Sequence, residues 1–346
     1  MTSINQTGRT NTGIFGLEST FEEAEIGFIA VPWDATSSYK AGSHQSPDRI
    51  LAASPQLDFF HPDFAECSDD GIVCLDANPA IIEKNSLCRK AALKVIKAHE
   101  VGEFDDKNPA LHKALKTVNE GSIWLNDIIY QQAERCIQDN KLIGLIGGDH
   151  SCTYPLVKAL VDYIDSFTIL QIDAHMDLRP AYQGFNFSHA SVMHNCLKHK
   201  DIKRLVQVGV RDYCAQEKQV QLDSGGRIKT FYDQDLKEER FAGKTWDSQC
   251  KKIVNNCADN VYVTVDMDGL MPQYCPNTGT VVPGGLDFSE VTYLMKQLVK
   301  SKRTIVGFDV VEANGEPDSV DIISAMRMCY QLAGYAWLSH QDHAKH

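Results

Sequence analysis

The stretch FTILQIDAHMD, from Phe167 to Asp177, decides the fold of this chain. Its first part, Phe167–Ile172, is nearly continuous in apolar character, and its second part places Asp173, His175 and Asp177 directly behind it. A short unbroken apolar run is typical of a strand that is covered on both faces, as in a parallel sheet. Ionisable side chains at the end of such a strand interrupt a core, and we expect them to serve a site at the carboxyl edge of the sheet.

Other runs of the same kind occur along the chain, and segments with helical spacing lie between them. One helical segment covers 123–137, another covers 87–99, and a third opens at Asp287-Phe288-Ser289-Glu290 and runs to about Val299. Strands that alternate with helices predict an α/β fold with a mainly parallel sheet. The further predicted strands are Ile26–Val31, Leu142–Ile146, Leu205–Val210, Val261–Val265 and Thr304–Val310.

The domain organisation is expected to be simple, because no internal repeat and no Gly/Ser-rich linker occurs. We predict a flexible N-terminal tail, residues 1–24, followed by one domain, residues 25–346. The polar segment 61–120 departs from the alternating pattern and is interpreted as a variable insertion or an elaborated edge. The C-terminal residues around His340, His343 and His346 are polar and are predicted to be mobile.

Composition excludes several classes of protein. The 346 residues carry 34 basic and 46 acidic side chains, a formal net charge of -12, which argues against a nucleic-acid partner and suits a cationic ligand. No apolar run is long enough to span a membrane. The 11 cysteines are scattered without a Cys-x-x-Cys pair, as expected of buried thiols in a reducing compartment. We therefore expect a soluble cytoplasmic protein.

Two further polar clusters follow predicted strands in the same way. They are Gly147-Gly148-Asp149-His150-Ser151 and Asp266-Met267-Asp268. Parallel strands share one carboxyl edge, so we expect all three clusters to converge there. Four clustered carboxylates repel one another and would need cations. Oxygen and nitrogen donors without a thiolate favour an ion such as Mn²⁺, and two such ions can activate a bridging hydroxide. The candidate ligands are His150, Asp173, His175, Asp177, Asp266 and Asp268.

These clusters, in this order, resemble those of the ureohydrolase family, which comprises arginases, agmatinases and their relatives. The stretch Thr278-Gly279-Thr280-Val281-Val282-Pro283-Gly284-Gly285 is similar to a loop of that family, and Gly307-Phe308-Asp309-Val310-Val311-Glu312 is similar to one of its strands. The resemblance implies a three-layer α/β/α sandwich, a site with two Mn²⁺ per chain, and hydrolysis of a guanidino or related C–N bond with release of urea. It also implies a homo-oligomer, either a trimer or a hexamer.

The resemblance further implies a role for each matching residue. Glu312 matches the carboxylate that holds the substrate guanidinium, a sensible choice because the two groups can pair through two hydrogen bonds. Asp177 would also orient the bridging hydroxide. In the family pattern, Asp173 and Asp266 bridge both ions, His150 and Asp177 complete one ion, and His175 and Asp268 complete the other.

A second resemblance concerns the substrate. Asp177-Leu178-Arg179-Pro180 and the later Phe187-Ser188-His189-Ala190-Ser191-Val192-Met193 resemble stretches of bacterial and archaeal agmatinases. His189 matches the proton-shuttle histidine, and a histidine that titrates near neutral pH can carry a proton to a departing amine. The loop with which arginases grip the amino-acid end of arginine is absent. Agmatine, cleaved to putrescine and urea, is therefore the favoured substrate.

Alternatives stay open at this point. Within the family they are hydrolysis of guanidinobutyrate, guanidinopropionate, formimidoylglutamate or free guanidine, and nickel or another divalent metal could replace manganese. The sequence departs from the family pattern at His44, Met271 and Gly315. These departures leave the identity of the substrate open, but they do not change the predicted type of reaction. Outside the family, the alternatives are a mono-zinc deacetylase and a metal-binding protein without catalytic activity.

Overall fold

A single sheet of parallel strands forms the centre of the computed structural model, which describes residues 13–64, 67–68 and 71–344. Its strands are β1 Ile26–Val31, β2 Ile72–Leu75, β3 Leu142–Gly147, β4 Phe167–Ile172, β5 Ile202–Val210, β6 Ile228–Tyr232, β7 Asn260–Asp266 and β8 Thr304–Val311. They lie in the order β2-β1-β3-β8-β7-β4-β5-β6, and every neighbouring pair is parallel.

The helices connect successive strands and carry ordinary termini. The side chains of Asn78 and Asn108 cap the helices Pro79–Glu100 and Pro109–Gln138, each of which begins with a proline. Asp287 with Glu290 forms a reciprocal cap on the helix Phe288–Lys300. Among the described residues, none of the helices combines the length and apolarity needed to cross a membrane. The helices are α1 Ser46–Ala53, α2 Pro79–Glu100, α3 Pro109–Gln138, α4 Thr153–Val161, α5 Val192–Cys196, α6 Ala215–Asp223, α7 Asp233–Phe241, α8 Trp246–Val254, α9 Phe288–Lys300 and α10 Val320–Ala344.

Two hydrophobic cores lie on opposite faces of the sheet. Side chains alternate along each strand, so in β4 Ile169 belongs to one core while Leu170 belongs to the other. One core is closed by residues of α1, α9 and α10, and the other by residues of α3 and α4. This arrangement confirms the predicted α/β/α sandwich, and it explains why the strands read as continuous apolar runs.

The six predicted strands all form, and the helix predicted to open at Asp287 runs as α9. The strands β2 and β6 were not predicted. Both lie at the edges of the sheet, where one side of the strand has no neighbour, and most of their residues are partly or fully exposed. β2 has only four residues, and β6 contains Lys229 and Thr230, so neither shows the longer continuous apolar run that marks a central strand.

Two expectations about the chain ends are wrong where the structure describes them. The flexible tail 1–24 is packed from residue 13 onward, because Ile14 and Phe15 are fully buried and the Phe15 ring contacts Phe28 edge-on. Helix α10 extends the ordered structure through His340, whose Nε2 lies 3.0 Å from the carbonyl oxygen of Ile305. Residues 1–12 and His346 lie outside the described residues, and so does the side chain of His343.

The segment 61–120 supplies the edge strand β2, the helix α2 and the first part of α3. These two helices enclose a small third core that includes Val95, Val118 and the loop residue Phe185. Through Phe185 this core reaches the loop that follows β4. That the segment is an insertion relative to similar proteins stays a prediction.

Candidate metal centre

The predicted ligands come together at the carboxyl edge of the central strands. β3, β8, β7 and β4 are neighbours in the sheet, and each ends at one part of the cluster. His150 opens a short turn after β3, Glu312 follows β8, and Asp266 closes β7. The remaining ligands stand directly after β4 and β7; they are Asp173, His175, Asp177 and Asp268.

The first group of ligands surrounds one nitrogen of His150. Nδ1 of this ring lies 3.1 Å from Asp173 Oδ2, 2.9 Å from Asp177 Oδ2 and 3.3 Å from Asp266 Oδ2. All four side chains are buried. Three carboxylate oxygens from buried side chains therefore converge on a single imidazole nitrogen.

The contacts of the second ring nitrogen, Nε2, set the orientation of the His150 ring. Its Nε2 lies 2.9 Å from the hydroxyl oxygen of Thr264, and that hydroxyl donates its own hydrogen to Asp309 Oδ1 at 2.6 Å. The hydroxyl can then only accept from the ring, so Nε2 carries a hydrogen, and in the neutral form that a metal ligand must adopt Nδ1 presents a lone pair. Nδ1 has no hydrogen-bond partner although it is buried. A lone pair facing three carboxylates needs a cation between them, as in metal sites whose histidines are held by such contacts.

The second group is formed by Asp173, His175 and Asp268. His175 Nδ1 lies 3.1 Å from Asp268 Oδ2 and 3.5 Å from Asp173 Oδ1. Asp173 thus directs one oxygen to each group, and the two sets that can each surround an ion, His150/Asp173/Asp266 and Asp173/His175/Asp268, share this residue. The residues therefore fit a pair of cations.

Asp266 differs from Asp173 in its contacts. Its Oδ2 belongs to the first group, while its Oδ1 accepts a hydrogen bond from the backbone nitrogen of Asp268 at 2.9 Å. Asp266 offers a ligand oxygen to the first group in this structure, and its role as a second bridge stays a prediction.

Burial sets the electrostatics of the cluster. It raises the pKa of Asp177 to about 7, aided by the charge of Asp173, and raises that of Asp266 well above its usual value. Burial lowers the pKa of His150 and His175, but the surrounding carboxylates outweigh it and raise both. Each of these shifts reflects a shortage of positive charge, which divalent cations would supply.

Two of the predicted site residues have a left-handed backbone. Asp177 has a φ of 55° and Glu312 a φ of 60°, a conformation that costs a non-glycine residue about 1–2 kcal/mol. Neighbours hold both in place: the Asp177 carbonyl accepts from the backbone nitrogens of Met193 and His194, and Glu312 N donates to the Gly148 carbonyl at 2.8 Å. Strained residues held so firmly are common at functional sites.

Glu312 is held against the backbone of His150. Its Oε1 accepts from the backbone nitrogen of His150 at 3.0 Å, and its carbonyl accepts from the Thr278 hydroxyl at 2.8 Å. Thr280, in the same predicted loop, donates to Asp268 Oδ2 at 3.2 Å. Burial, together with the charges of Asp266 and Asp149, raises the pKa of Glu312 well above its usual value. A cationic group beside Glu312 would relieve this.

The tight packing at this edge depends on Gly148. A Cβ atom at that position would lie 1.9 Å from the carbonyl oxygen of Trp33. Only glycine allows this approach, which lets Gly148 N donate to the Val31 carbonyl at 3.0 Å and Asp149 N donate to Trp33 at 2.8 Å. The loop after β1 is thereby held against the turn that presents His150.

His189 lies across the cavity from the metal ligands. Its ring nitrogens approach the hydroxyls of Thr36 and Ser38 at 3.5 Å and 3.4 Å. Burial and the nearby charges of His175 and His150 lower the pKa of His189 to about 3, so the ring is neutral at physiological pH. The role of His189 in proton transfer stays a prediction.

A cavity of about 160 Å³ joins these groups to solvent. Several residues at its mouth were not predicted as site residues, and Asp212 is the most accessible, its side chain 68% exposed. Asp212 stands just beyond β5, so the rule that found the other clusters could have found it. Among the predicted ligands, Asp173 lies beneath the cavity. The cavity is lined by Ser38, His150, His175, Asp177, Arg179, Tyr182, His189, Ala190, Asp212, Tyr213, Glu217, Asp266, Asp268, Thr280 and Glu312.

The chain is similar to known proteins over most of its length. Residues 24–334 match the model of the Arginase family. The chain is 28% identical to an N(1)-aminopropylagmatine ureohydrolase of Thermus thermophilus, over 95% of this chain and 99% of the relative, and 29% identical to an agmatinase of Pyrococcus horikoshii, over 90% and 92%.

Solved structures show the same fold. The agmatine ureohydrolase of Thermoplasma volcanium superposes with a TM-score of 0.69 at 21% identity, covering 97% of each chain. Proclavaminate amidino hydrolase from Streptomyces clavuligerus gives a TM-score of 0.69 at 20% identity, again covering 97% of each chain. At these identities the likeness carries the fold alone.

Proposed function

Because the chain belongs to the arginase family, we propose that it hydrolyses agmatine to putrescine and urea with two bound divalent metal ions. Like its relatives, it is a hydrolase that acts on C–N bonds in linear amidines. The observation that carries the proposal is Asp173, which offers one oxygen to each of two ligand groups at the floor of a cavity that also contains Glu312.

The proposed ligands are the six residues of the two groups, and the proposed ion is Mn²⁺. Carboxylate and imidazole donors without thiolate support manganese and leave nickel as the alternative to test. Two groups that share a carboxylate favour a pair of ions over the single zinc of a deacetylase. When bound, the ions supply the positive charge that makes water a nucleophile near neutral pH.

Glu312 is proposed to bind the guanidinium of the substrate. Its backbone is held in a left-handed conformation and its Oε1 by the backbone of His150, so the carboxylate is fixed before substrate arrives. Carboxylate and guanidinium can pair through two hydrogen bonds, which orients the planar guanidinium above the ligand groups. The guanidinium also brings the positive charge that the buried Glu312 lacks.

His189 is proposed to move the proton. As a neutral ring it can accept a proton from the attacking water and then give it to the amine nitrogen as the C–N bond breaks. Asp177 is a carboxylate of the first group that lines the cavity, and it is proposed to orient the attacking water.

The mouth of the cavity supports a substrate with a cationic tail. Arg179 Nε lies 3.5 Å from Glu217 Oε2, so these two charges offset each other, and the Arg179 guanidinium lies over the Tyr182 ring. Among the described residues, Asp212 forms an ion pair only with His175 Nε2 at 3.8 Å, and this ring would be neutral as a metal ligand, which leaves the charge of Asp212 without a cation. The remaining negative charge favours an ammonium group over the carboxylate of guanidinobutyrate or guanidinopropionate.

Replacing Asp212 with Asn is expected to raise the KM for agmatine about three- to tenfold, as suits an exposed ion pair. The KM for butylguanidine, which lacks the ammonium group, should not change. Asp127→Asn, an exposed substitution on α3, is the matched control. Steady-state urea release measures both constants. An equal rise for both substrates would show that Asp212 supports the site without recognising the tail.

A panel of guanidino compounds tests the proposed reaction. Protein loaded separately with manganese, nickel and zinc would receive agmatine, N(1)-aminopropylagmatine, guanidinobutyrate, guanidinopropionate, arginine, formimidoylglutamate and free guanidine. We expect the highest kcat/KM for agmatine with manganese. N(1)-aminopropylagmatine is the second candidate, since it also has a cationic tail and relatives named for it match this chain. Failure to release urea or ammonia from every compound would refute the proposal.

Assembly and location complete the proposal. A homo-oligomer, trimer or hexamer, is proposed from the family, and light scattering of the purified protein would measure it. A cytoplasmic location is supported by the 11 cysteines, none of which forms a disulfide.

A further inference from the structure

Thr36 links His189 to a buried carboxylate. It stands in the loop after β1, and its fully buried hydroxyl donates to Asp149 Oδ2 at 3.0 Å. The same carboxylate oxygen accepts from the Thr36 backbone nitrogen at 3.4 Å. The other oxygen of Asp149 accepts from the backbone nitrogen and the hydroxyl of Ser151. Asp149 is therefore held by four donors and cannot turn toward the cavity.

His189 contacts the same hydroxyl twice. Its backbone nitrogen donates to Thr36 Oγ1 at 3.3 Å, and its ring Nδ1 lies 3.5 Å from that atom. The single hydrogen of the hydroxyl is already directed to Asp149, so Thr36 Oγ1 can only accept from His189. A neutral His189 ring must then carry its hydrogen on Nδ1. Its Nε2, on the side of Ser38 and the cavity, presents a lone pair.

From this chain of contacts we propose that Thr36 and Asp149 are positioning residues that fix His189 in the tautomer with its hydrogen on Nδ1. The proposal rests on the proposed function, in which His189 moves the proton. Nε2 accepts the proton of the attacking water while Nδ1 keeps its own, and Nε2 then gives that proton to the amine nitrogen as the C–N bond breaks. The ring returns to its starting tautomer, so no proton is gained or lost.

The chain of contacts has a physical purpose beyond packing. With the hydrogen on Nε2, the ring would offer no lone pair to the attacking water. Rotation of the ring about its bond to Cβ would likewise turn the lone pair of Nε2 away from the attacking water. A carboxylate that orients a hydroxyl, which in turn orients an imidazole, removes both alternatives. Asp149 does not need to change its protonation state for this.

Two substitutions at Thr36 separate positioning from packing. Thr36→Val keeps the shape of the side chain and removes the hydroxyl, whereas Thr36→Ser keeps the hydroxyl. We expect kcat for agmatine to fall about tenfold or more in T36V and to stay within about twofold of the wild type in T36S. KM, bound metal and the thermal midpoint should be similar in both. Thr292→Val, at a partly buried site on α9 outside the cavity lining, controls for the loss of a hydroxyl elsewhere.

A double-mutant cycle with His189 gives the decisive kinetic comparison. If Thr36 acts through the His189 ring, T36V should not lower kcat further in a His189→Ala background. Equal fold losses in both backgrounds would overturn the proposal, and so would equal kcat values for T36V and T36S.

The tautomer can also be read without activity. In zinc-loaded protein, ¹⁵N NMR of the His189 ring should show a protonated Nδ1 and an unprotonated Nε2, and a mixture of tautomers in T36V. A wild-type ring with its hydrogen on Nε2 would refute the positioning role. This measurement stands apart from the guanidine panel, so failure of the relay and failure of the proposed reaction are distinguishable.

Discussion

Replacing Asp173 with Asn is expected to abolish urea release and to remove bound metal in the same variant. Among the described residues, Asp173 is the one that belongs to both ligand groups, with Oδ2 near His150 and Oδ1 near His175. An amide nitrogen at either position cannot bind a cation, and the lost charge weakens both groups. Losing several kcal/mol of electrostatic stabilisation corresponds to a fall in kcat of about 1000-fold or more. Urea release and elemental analysis of the same preparation measure the two effects.

The control lies at the opposite end of the same strand. Asp165→Asn, an exposed substitution just before β4, removes one carboxylate without approaching the cluster and should keep both activity and metal. Manganese should raise the thermal midpoint of the wild type and of D165N, because it binds the folded chain alone, but not that of D173N. A D173N variant that kept two metal ions and full activity would show that the proposed ligand set is wrong.

Replacing His189 with Ala is expected to lower kcat by about 10²- to 10⁴-fold while two metal ions stay bound per chain. The ring contacts Thr36 and Ser38, and none of its described hydrogen bonds involves the ligand groups. KM should change much less than kcat, since Glu312 is the residue proposed to bind the guanidinium. Elemental analysis and steady-state kinetics on the same sample check both statements.

His194→Ala, in the neighbouring helix α5, is the matched control and should keep its activity. Added imidazole should restore part of the turnover of H189A, because a free ring can enter the vacated space. Loss of bound metal in H189A would instead identify His189 as a ligand.

The sequence predicted the central part of the fold well for a physical reason. β1, β3, β4, β7 and β8 are buried on both faces, so their composition alone marks them as strands. β2 is apolar but only four residues long, and β6 mixes polar and apolar residues because one of its sides lies at the edge of the sheet. The buried residues Ile14 and Phe15 escaped prediction because an isolated apolar pair in a polar segment has no periodicity to reveal it.

The site was predicted only as far as polar residues follow central strands. That rule, with the family resemblance, found the ligand residues, and the structure brings them together. It could not find Thr36 as a partner of His189, or the support that Thr264 gives to His150, because 153 and 114 residues separate these pairs. Such contacts arise from the order of strands in the sheet, which local patterns do not encode.

The place of β8 in the sheet has a consequence for how the protein is made. β8 is the last strand along the described chain, yet it lies between β3 and β7 at the centre. A nascent chain that has not released residues 304–311 from the ribosome holds two partial sheets, β2-β1-β3 and β7-β4-β5-β6, whose inner edges are both unpaired. Products of premature termination therefore expose two hydrophobic edges and are candidates for aggregation and proteolysis. The catalytic pocket is completed only in the final stage of synthesis.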